Sequence, residues 1–294
     1  MVQKAPIPQK KAQSQSPKKR GRFKRLVLYP ILALFILGLL GAATLIGGYQ
    51  YISQDLPRIN SLMDYQPAII SKVYADDQRV IAEFFKERRV VIPLSDVPPL
   101  LVKAFVAAED SRFFQHQGID PLGIVRAALK NLEAGTIKQG GSTITQQVTR
   151  SFLLTPERSY IRKIKEIILS YRIEKAFSKE EILFLYLNQI YLGHGAYGVQ
   201  AAAENYFGKP VQKLSLAECA VLAGLPQAPS RYSPLTHFSK AKERQAYVLK
   251  RMVEEGFLDE AAATGAAQAP IYFARVSDPN LSLAPHLVSD DGST

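Results

Sequence analysis

Ala107-Ala108-Glu109-Asp110-Ser111-Arg112-Phe113-Phe114-Gln115-His116-Gln117-Gly118 sets two acids at the end of an apolar run and against a pair of aromatics. The run before it, Leu100 to Ala108, is apolar except for Lys103 and predicts a helix that ends at Glu109. Partial burial raises the proton affinity of a carboxylate, which is how a Glu becomes a useful base near neutral pH. A plainer reading stays open, in which the acids close a helix and bond Arg112 or His116. Further on comes Gln139-Gly140-Gly141-Ser142-Thr143-Ile144-Thr145-Gln146-Gln147, whose glycines permit close backbone approach and whose hydroxyls and amides are costly to bury unpaired. Such a turn suits a sugar or phosphate, with an ordinary helix cap at Ser142 as the alternative. The closeness of the two stretches suggests one site.

Working outward, helix start and stop signals repeat from Pro98 to Gly256. Asp120 and Pro121 open a helix that Gly135 closes, and Thr155 with Pro156 opens one that runs to Phe177. Ser178 with Glu181, and Ser215 with Glu218, make capping boxes. About seven helices are expected, without the strand and helix alternation of a parallel sheet. Ile69 to Pro93 carries β-branched runs, including Val90-Val91-Ile92, around an Asp76-Asp77 turn and predicts a small hairpin. The fold class is therefore mainly α.

The formal net charge is +11, but nine of the cations (Lys4, Lys10, Lys11, Lys18, Lys19, Arg20, Arg22, Lys24, Arg25) lie in the first 25 residues, where there is no acid. About +2 remains for everything else, which argues against a nucleic-acid groove on the folded part. Leu26 to Gly48 is uncharged and long enough, at about 1.5 Å per residue, to cross a hydrocarbon core of about 30 Å. With the basic tail before it, the positive-inside rule expects a single-pass span with residues 1–25 cytoplasmic and the folded part outside. The expected segments are a tail at 1–25, a membrane helix at 26–48, a connector at 49–64, a helical domain at 65–264 and an Ala/Pro/Ser-rich linker at 265–294. The single cysteine, Cys219, sits in an apolar helical stretch and reads as a core side chain.

Arg162-Lys163-Ile164-Lys165-Glu166 places two cations four and three residues before an acid, within reach of it on a helix. The pattern fits either a surface salt bridge or a diphosphate clamp with its own counter-charge, to which Arg150 could add a third cation. Ile182 to Gly193 has the apolar density of a central helix, in which Asn188 and Gln189 need hydrogen-bond partners. His116 has no second histidine at ligand spacing, so no metal site is expected there.

In this order, EDSRFFQHQG, GGSTITQQ, RKIKE and ILFLYLNQIYLG resemble the peptidoglycan glycosyltransferase domain of class A penicillin-binding proteins and monofunctional transglycosylases. The likeness spans roughly Tyr65 to Phe257. It implies a lysozyme-like helical domain that polymerises lipid II into β-1,4 glycan, releasing polyprenyl diphosphate by a single inverting displacement. Glu109 matches the family's general base and Glu166 its second acid, beside the donor's diphosphate. Arg162 and Lys163 match a leaving-group clamp; Thr143, Gln147 and Arg150, with Ser142 close by, match substrate-binding positions of the polar turn. Asp110, Phe113 and His116 match residues that shape the site. The resemblance further implies a divalent cation as an optional companion of the diphosphate, and it implies lipid II, the growing glycan, the bacterial inner membrane and other cell wall synthesis proteins as partners, with no nucleic acid.

Two departures stand out. Relatives commonly carry Glu where this chain has Phe184. The two Ser-x-x-Lys strings, Ser16 to Lys19 and Ser239 to Lys242, lie in the tail and inside the helical domain, so the transpeptidase half of class A proteins is expected to be missing.

Overall fold

The computed structural model describes residues 20–57, 59, 71–74, 76, 80–84, 88–135, 140–155 and 159–274. Most of the expected tail, residues 58 and 60–64 of the connector and residues 275–294 of the expected linker lie outside these. Helix α1, Arg20–Gln54, stands as a unit of its own. Its segment Leu28–Gln54, 27 residues, is long and apolar enough to cross a membrane and has no buried side chains. The helix thus runs six residues beyond the expected end of the span at Gly48.

The second unit begins at Leu56. Strands β1 (Ser71–Tyr74) and β2 (Val80–Phe84) form the expected antiparallel hairpin, with a register shift between Val73 and Tyr74. Strand β3 is only Arg88–Arg89. Val90 to Ile92, expected as strand, are not: the Ile92 N–H instead donates to Asn188 Oδ1 and its carbonyl accepts from Asn188 Nδ2, both at 3.0 Å. A side chain replaces the ladder there.

From Pro99 to Glu254 the described residues form eight α-helices, one more than expected. They are α2 (Pro99–Glu109), α3 (Pro121–Ala134), α4 (Ile144–Leu153), α5 (Tyr160–Ala176), α6 (Lys179–Gln189), α7 (Val199–Phe207), α8 (Leu216–Gly224) and α9 (Phe238–Glu254). Strand β4 (Ala196–Tyr197) pairs in parallel with β3. The capping boxes at Ser178/Glu181 and Ser215/Glu218 form as expected. Gly135 closes α3 at φ 63°. Helix α5 starts later than Thr155 and Pro156 suggest, because the hydroxyl of Ser159 accepts from the Arg162 N–H at 3.0 Å and so caps it. A ninth helix of this unit, α10 (Glu260–Gln268), runs past the boundary expected at Gly265. Lys242 Nζ donates to Ala267 O at 2.5 Å and Ala274 N to Tyr206 O at 2.9 Å, so the chain stays packed on the domain to that point.

Helix α2 runs through the centre against α8 and α9, burying Leu101, Ala104, Phe105 and Ala108 on its helical face. Helix α4 packs on α5 and α6. The site depends on this layout: α2 delivers the first acid at its C-terminus, α5 carries the second, and the start of α4 lies between them. Cys219 is a core side chain, as expected, with its thiol pushed up to about 12 by burial.

Candidate active site

Helix α2 stops at Glu109 because Asp110 leaves helical geometry, at φ −157°. Its carboxylate turns instead to the start of α4, accepting from the Ile144 N–H at 3.0 Å and from His116 Nε2 at 2.9 Å. Both Asp110 and His116 are buried. Phe113 is fully buried, edge-on to Phe114 and His116, with Lys179 Nζ 4.3 Å from its ring centroid. These three residues build a wall beside Glu109 and the start of α4. Gly118 serves the same wall: at φ 86° it approaches α5 so closely that a Cβ would stand 2.7 Å from Ser170 O.

Glu109 is held from two sides. Gln147 Nε2 donates to Oε2 at 2.8 Å, while Oε1 faces the Arg244 guanidinium at 3.8 Å, beyond hydrogen-bonding distance. Its side chain is 12 % exposed. Burial raises its proton affinity above the ordinary value of 4.5; the Gln147 bond and then the Arg244 charge work against that rise. The carboxylate is therefore poised to take a proton, with one oxygen tethered and the other not.

The polar turn is only partly what its composition suggests. The cap of α4 is Thr143 rather than Ser142: its hydroxyl accepts from Gln146 N at 3.1 Å and donates to Gly118 O at 2.7 Å, while Gln146 Oε1 takes the Thr143 N–H at 3.0 Å. Expected as a substrate-binding residue, Thr143 is 2 % exposed and engaged in the fold. Thr145 likewise turns inward, donating to Glu174 Oε1 at 2.6 Å. Ser142, Gln147 and Arg150 do face the opening, together with Gly140.

Helix α5 brings the second acid. Glu166 is 1 % exposed, one oxygen paired with Arg162 Nη1 at 3.1 Å and the other with Lys163 Nζ. It does not line the cleft itself and instead holds Arg162 and Lys163. Lys163 is 42 % exposed and also donates to Ser142 Oγ at 3.2 Å. Among the described residues no three His, Cys, Asp or Glu stand together as a metal site would need, and both oxygens of Glu166 are already taken by cations.

The two acids meet through Ser142. A cleft of about 170 Å³ is lined by Glu109, Ser142, Gln147, Arg150, Arg244 and Tyr247 among others. A smaller recess of about 30 Å³ continues along Glu109, Ser142, Thr143, Asp120 and Arg126. Ser142 borders both and accepts a hydrogen bond from Lys163, so one cation of α5 is held at the rim of the Glu109 cleft. The sequence reading missed Arg126, Arg244, Tyr247 and Tyr186. Tyr186 is buried edge-on to Phe105, with an unpartnered hydroxyl whose proton is held by burial first and by the Glu109 charge second. Arg244 carried a signal in the pattern of α9: it falls on the buried stripe of Ala241, Gln245, Val248 and Met252, where an apolar residue is the rule. Phe184, at the position where relatives carry Glu, is partly buried against the core.

A tethered carboxylate in a cleft, with a cation held at its rim through Ser142, suits an enzyme that transfers a group. Comparison with known proteins agrees. The transglycosylase family model matches residues 77–253. Penicillin-binding protein 1A of Escherichia coli is 48% identical over 236 residues, covering 80% of this chain and 28% of that protein. Penicillin-binding protein 1A of Pseudomonas aeruginosa is 46% identical over 242 residues, 82% of this chain and 29% of its own length. A crystal structure of penicillin-binding protein 1A from Haemophilus influenzae aligns over 72% of this chain and 22% of its own at 28% identity, with a TM-score of 0.43. The chain belongs to the transglycosylase family, the peptidoglycan glycosyltransferases of cell wall synthesis. It spans less than a third of the length of these curated relatives.

Proposed function

We propose that this chain polymerises lipid II, joining the 4-hydroxyl of one GlcNAc to the anomeric carbon of a second, lipid-linked sugar. Glu109 Oε1 accepts the hydroxyl proton as the oxygen attacks. The bond to the diphosphate breaks on the opposite face, giving inversion and a β-1,4 link. Lys163, Arg162 and Arg150 meet the charge that develops on the departing diphosphate, the step at which fixed cations accelerate a reaction most. Glu166 acts through Arg162 and Lys163, keeping two like charges close together at one edge of the furrow.

One observation supports the reading: Ser142 borders the cleft of Glu109 and accepts a hydrogen bond from Lys163, which brings a cation of the proposed clamp to the rim beside the proposed proton acceptor. The apolar length of α1 supports anchoring in the membrane that carries the substrates, with the basic residues before it on the cytoplasmic side. Exposed Leu122, Ile124, Val125, Leu129 and Leu132 on α3, and Tyr160, Ile161 and Ile164 on α5, support a domain that meets lipid rather than water alone. Growing glycan and other cell wall synthesis proteins are the partners this activity calls for.

Incubation of the full chain with purified lipid II tests the reading. Polymer together with free polyprenyl diphosphate is the expected result. Cleavage of finished glycan without polymer would make the protein a hydrolase that uses Glu109 as an acid.

A further inference from the structure

Arg244 is a buried cation that the reaction above does not use. Four features hold it in place. Its Nε donates to Gly224 O at 3.3 Å, and its guanidinium lies 4.3 Å from the ring centroid of Tyr247 and 5.7 Å from that of Tyr232. Its stem crosses Gly224 so tightly that a Cβ there would stand 2.8 Å from Arg244 Cγ. Gly224 has helical backbone, so the crossing itself is what demands a glycine at the end of α8. Helices α8 and α9 thus spend a glycine and two aromatic faces on fixing one charge, 7 % exposed, against the cleft.

We propose that Arg244 is the positioning residue of the base, a fixed counter-charge that keeps Glu109 ionised without occupying the oxygen that receives the proton. At 3.8 Å from Oε1 the guanidinium is near enough to favour the carboxylate and too far to hydrogen-bond it. A closer arginine would fork onto both oxygens and compete with the incoming hydroxyl. The division is visible in the geometry: Gln147 takes Oε2, and Arg244 supplies charge beside Oε1.

The groups that face Glu109 come from every element around it. Helix α4 gives Gln147 and Arg150, α6 gives Tyr186, α9 gives Arg244, and the end of α2 adds Asp110. Asp110 disfavours the ionised form, whereas Arg150 favours it and is exposed. Arg244 is the buried cation of the set.

The inference rests on the proposed role of Glu109 and is tested in two ways on the full-length chain in detergent. The first is the pH dependence of lipid II polymerisation. The second is the titration of the Glu109 carboxyl by carbon NMR on glutamate-labelled protein, assigned by its loss in Glu109→Gln. In Arg244→Gln both the acid limb of the rate profile and the carboxyl titration move to higher pH, by about one unit. Arg244→Lys brings both most of the way back. Gly224→Ala, which keeps every charge but displaces the arginine stem, moves both in the same direction by a smaller amount. A rate lowered equally at all pH, with the carboxyl titrating as in the unmutated chain, would reduce Arg244 to a packing residue and overturn the inference. If Arg244→Gln does not fold, an unmoved titration in Gly224→Ala overturns it. Absence of polymer from the unmutated chain would sink the polymerase reading instead, while the NMR titration would still decide the part played by Arg244.

Discussion

The two acids, Glu109 in the cleft and Glu166 behind it on α5, sit in opposite circumstances. Glu109 lies at a helix end with one oxygen tethered by an amide and the other beside a cation that stops short of bonding it. Glu166 lies in mid-helix, sealed at 1 % exposure, with both oxygens in the grip of cations. The first can gain a proton at little structural cost. The second has no free oxygen to offer, since each is paired with a cation of its own helix. A carboxylate's chemistry here follows from how many of its lone pairs the fold has already spent.

The largest test of that contrast is Glu109→Gln, which keeps the shape and the Gln147 bond and removes the base. Polymerisation should fall by about 10²- to 10⁴-fold. Stability should move the other way. The folded state binds the Glu109 proton more tightly than the unfolded chain does, so ionising this group weakens the fold as pH rises above its ordinary value of 4.5. Melting curves at pH 7 should therefore show Glu109→Gln at least as stable as the unmutated chain, with the advantage gone below pH 4.5. A variant markedly less stable at neutral pH would mean that the charge is structural.

Next in size come Lys163→Ala and Arg162→Ala, each expected to slow polymerisation by the equivalent of about 2–4 kcal/mol if they stabilise the leaving diphosphate. Unchanged kinetics in either would return that side chain to a salt bridge. Glu166→Gln should slow the reaction by about tenfold and also lower stability by about 2 kcal/mol, since Arg162 keeps a largely buried guanidinium with no matching charge. Chemical denaturation separates this from Glu109→Gln: one acid's removal costs stability, the other's does not. The smallest effect belongs to Thr143→Ala. As a helix cap it should cost about 1 kcal/mol of stability and leave KM for lipid II within about twofold. A large rise in KM would restore it to the substrate.

Much of this was legible in the chain. Helix signals such as Ser178/Glu181 and Asp120-Pro121 act over one turn, so they can be read locally and they hold in the structure. Glu109 at a helix end, and the reach of Arg162 and Lys163 to Glu166, follow from the same short-range geometry. The polar turn was harder, because composition shows that Thr143, Thr145 and Gln146 need partners but not whether the fold or a ligand supplies them. Here Gly118 O and Glu174 do, from distant segments. Val90 to Ile92 fails for the same reason, its backbone claimed by Asn188 from α6. Arg244 approaches Glu109 only through the packing of α2 on α9, a contact that no spacing reveals.

The most direct measurement is the pH–rate profile of lipid II polymerisation for Glu109→Gln and Lys163→Ala, taken side by side with the unmutated chain. If one acid receives the proton and the other serves the leaving group through its cations, Lys163→Ala keeps the acid limb at a lower plateau. Glu109→Gln then loses the limb altogether and leaves a small, flat residual rate. An acid limb that survives in Glu109→Gln would show that some other group takes the proton, and the division of labour between the two carboxylates would be wrong.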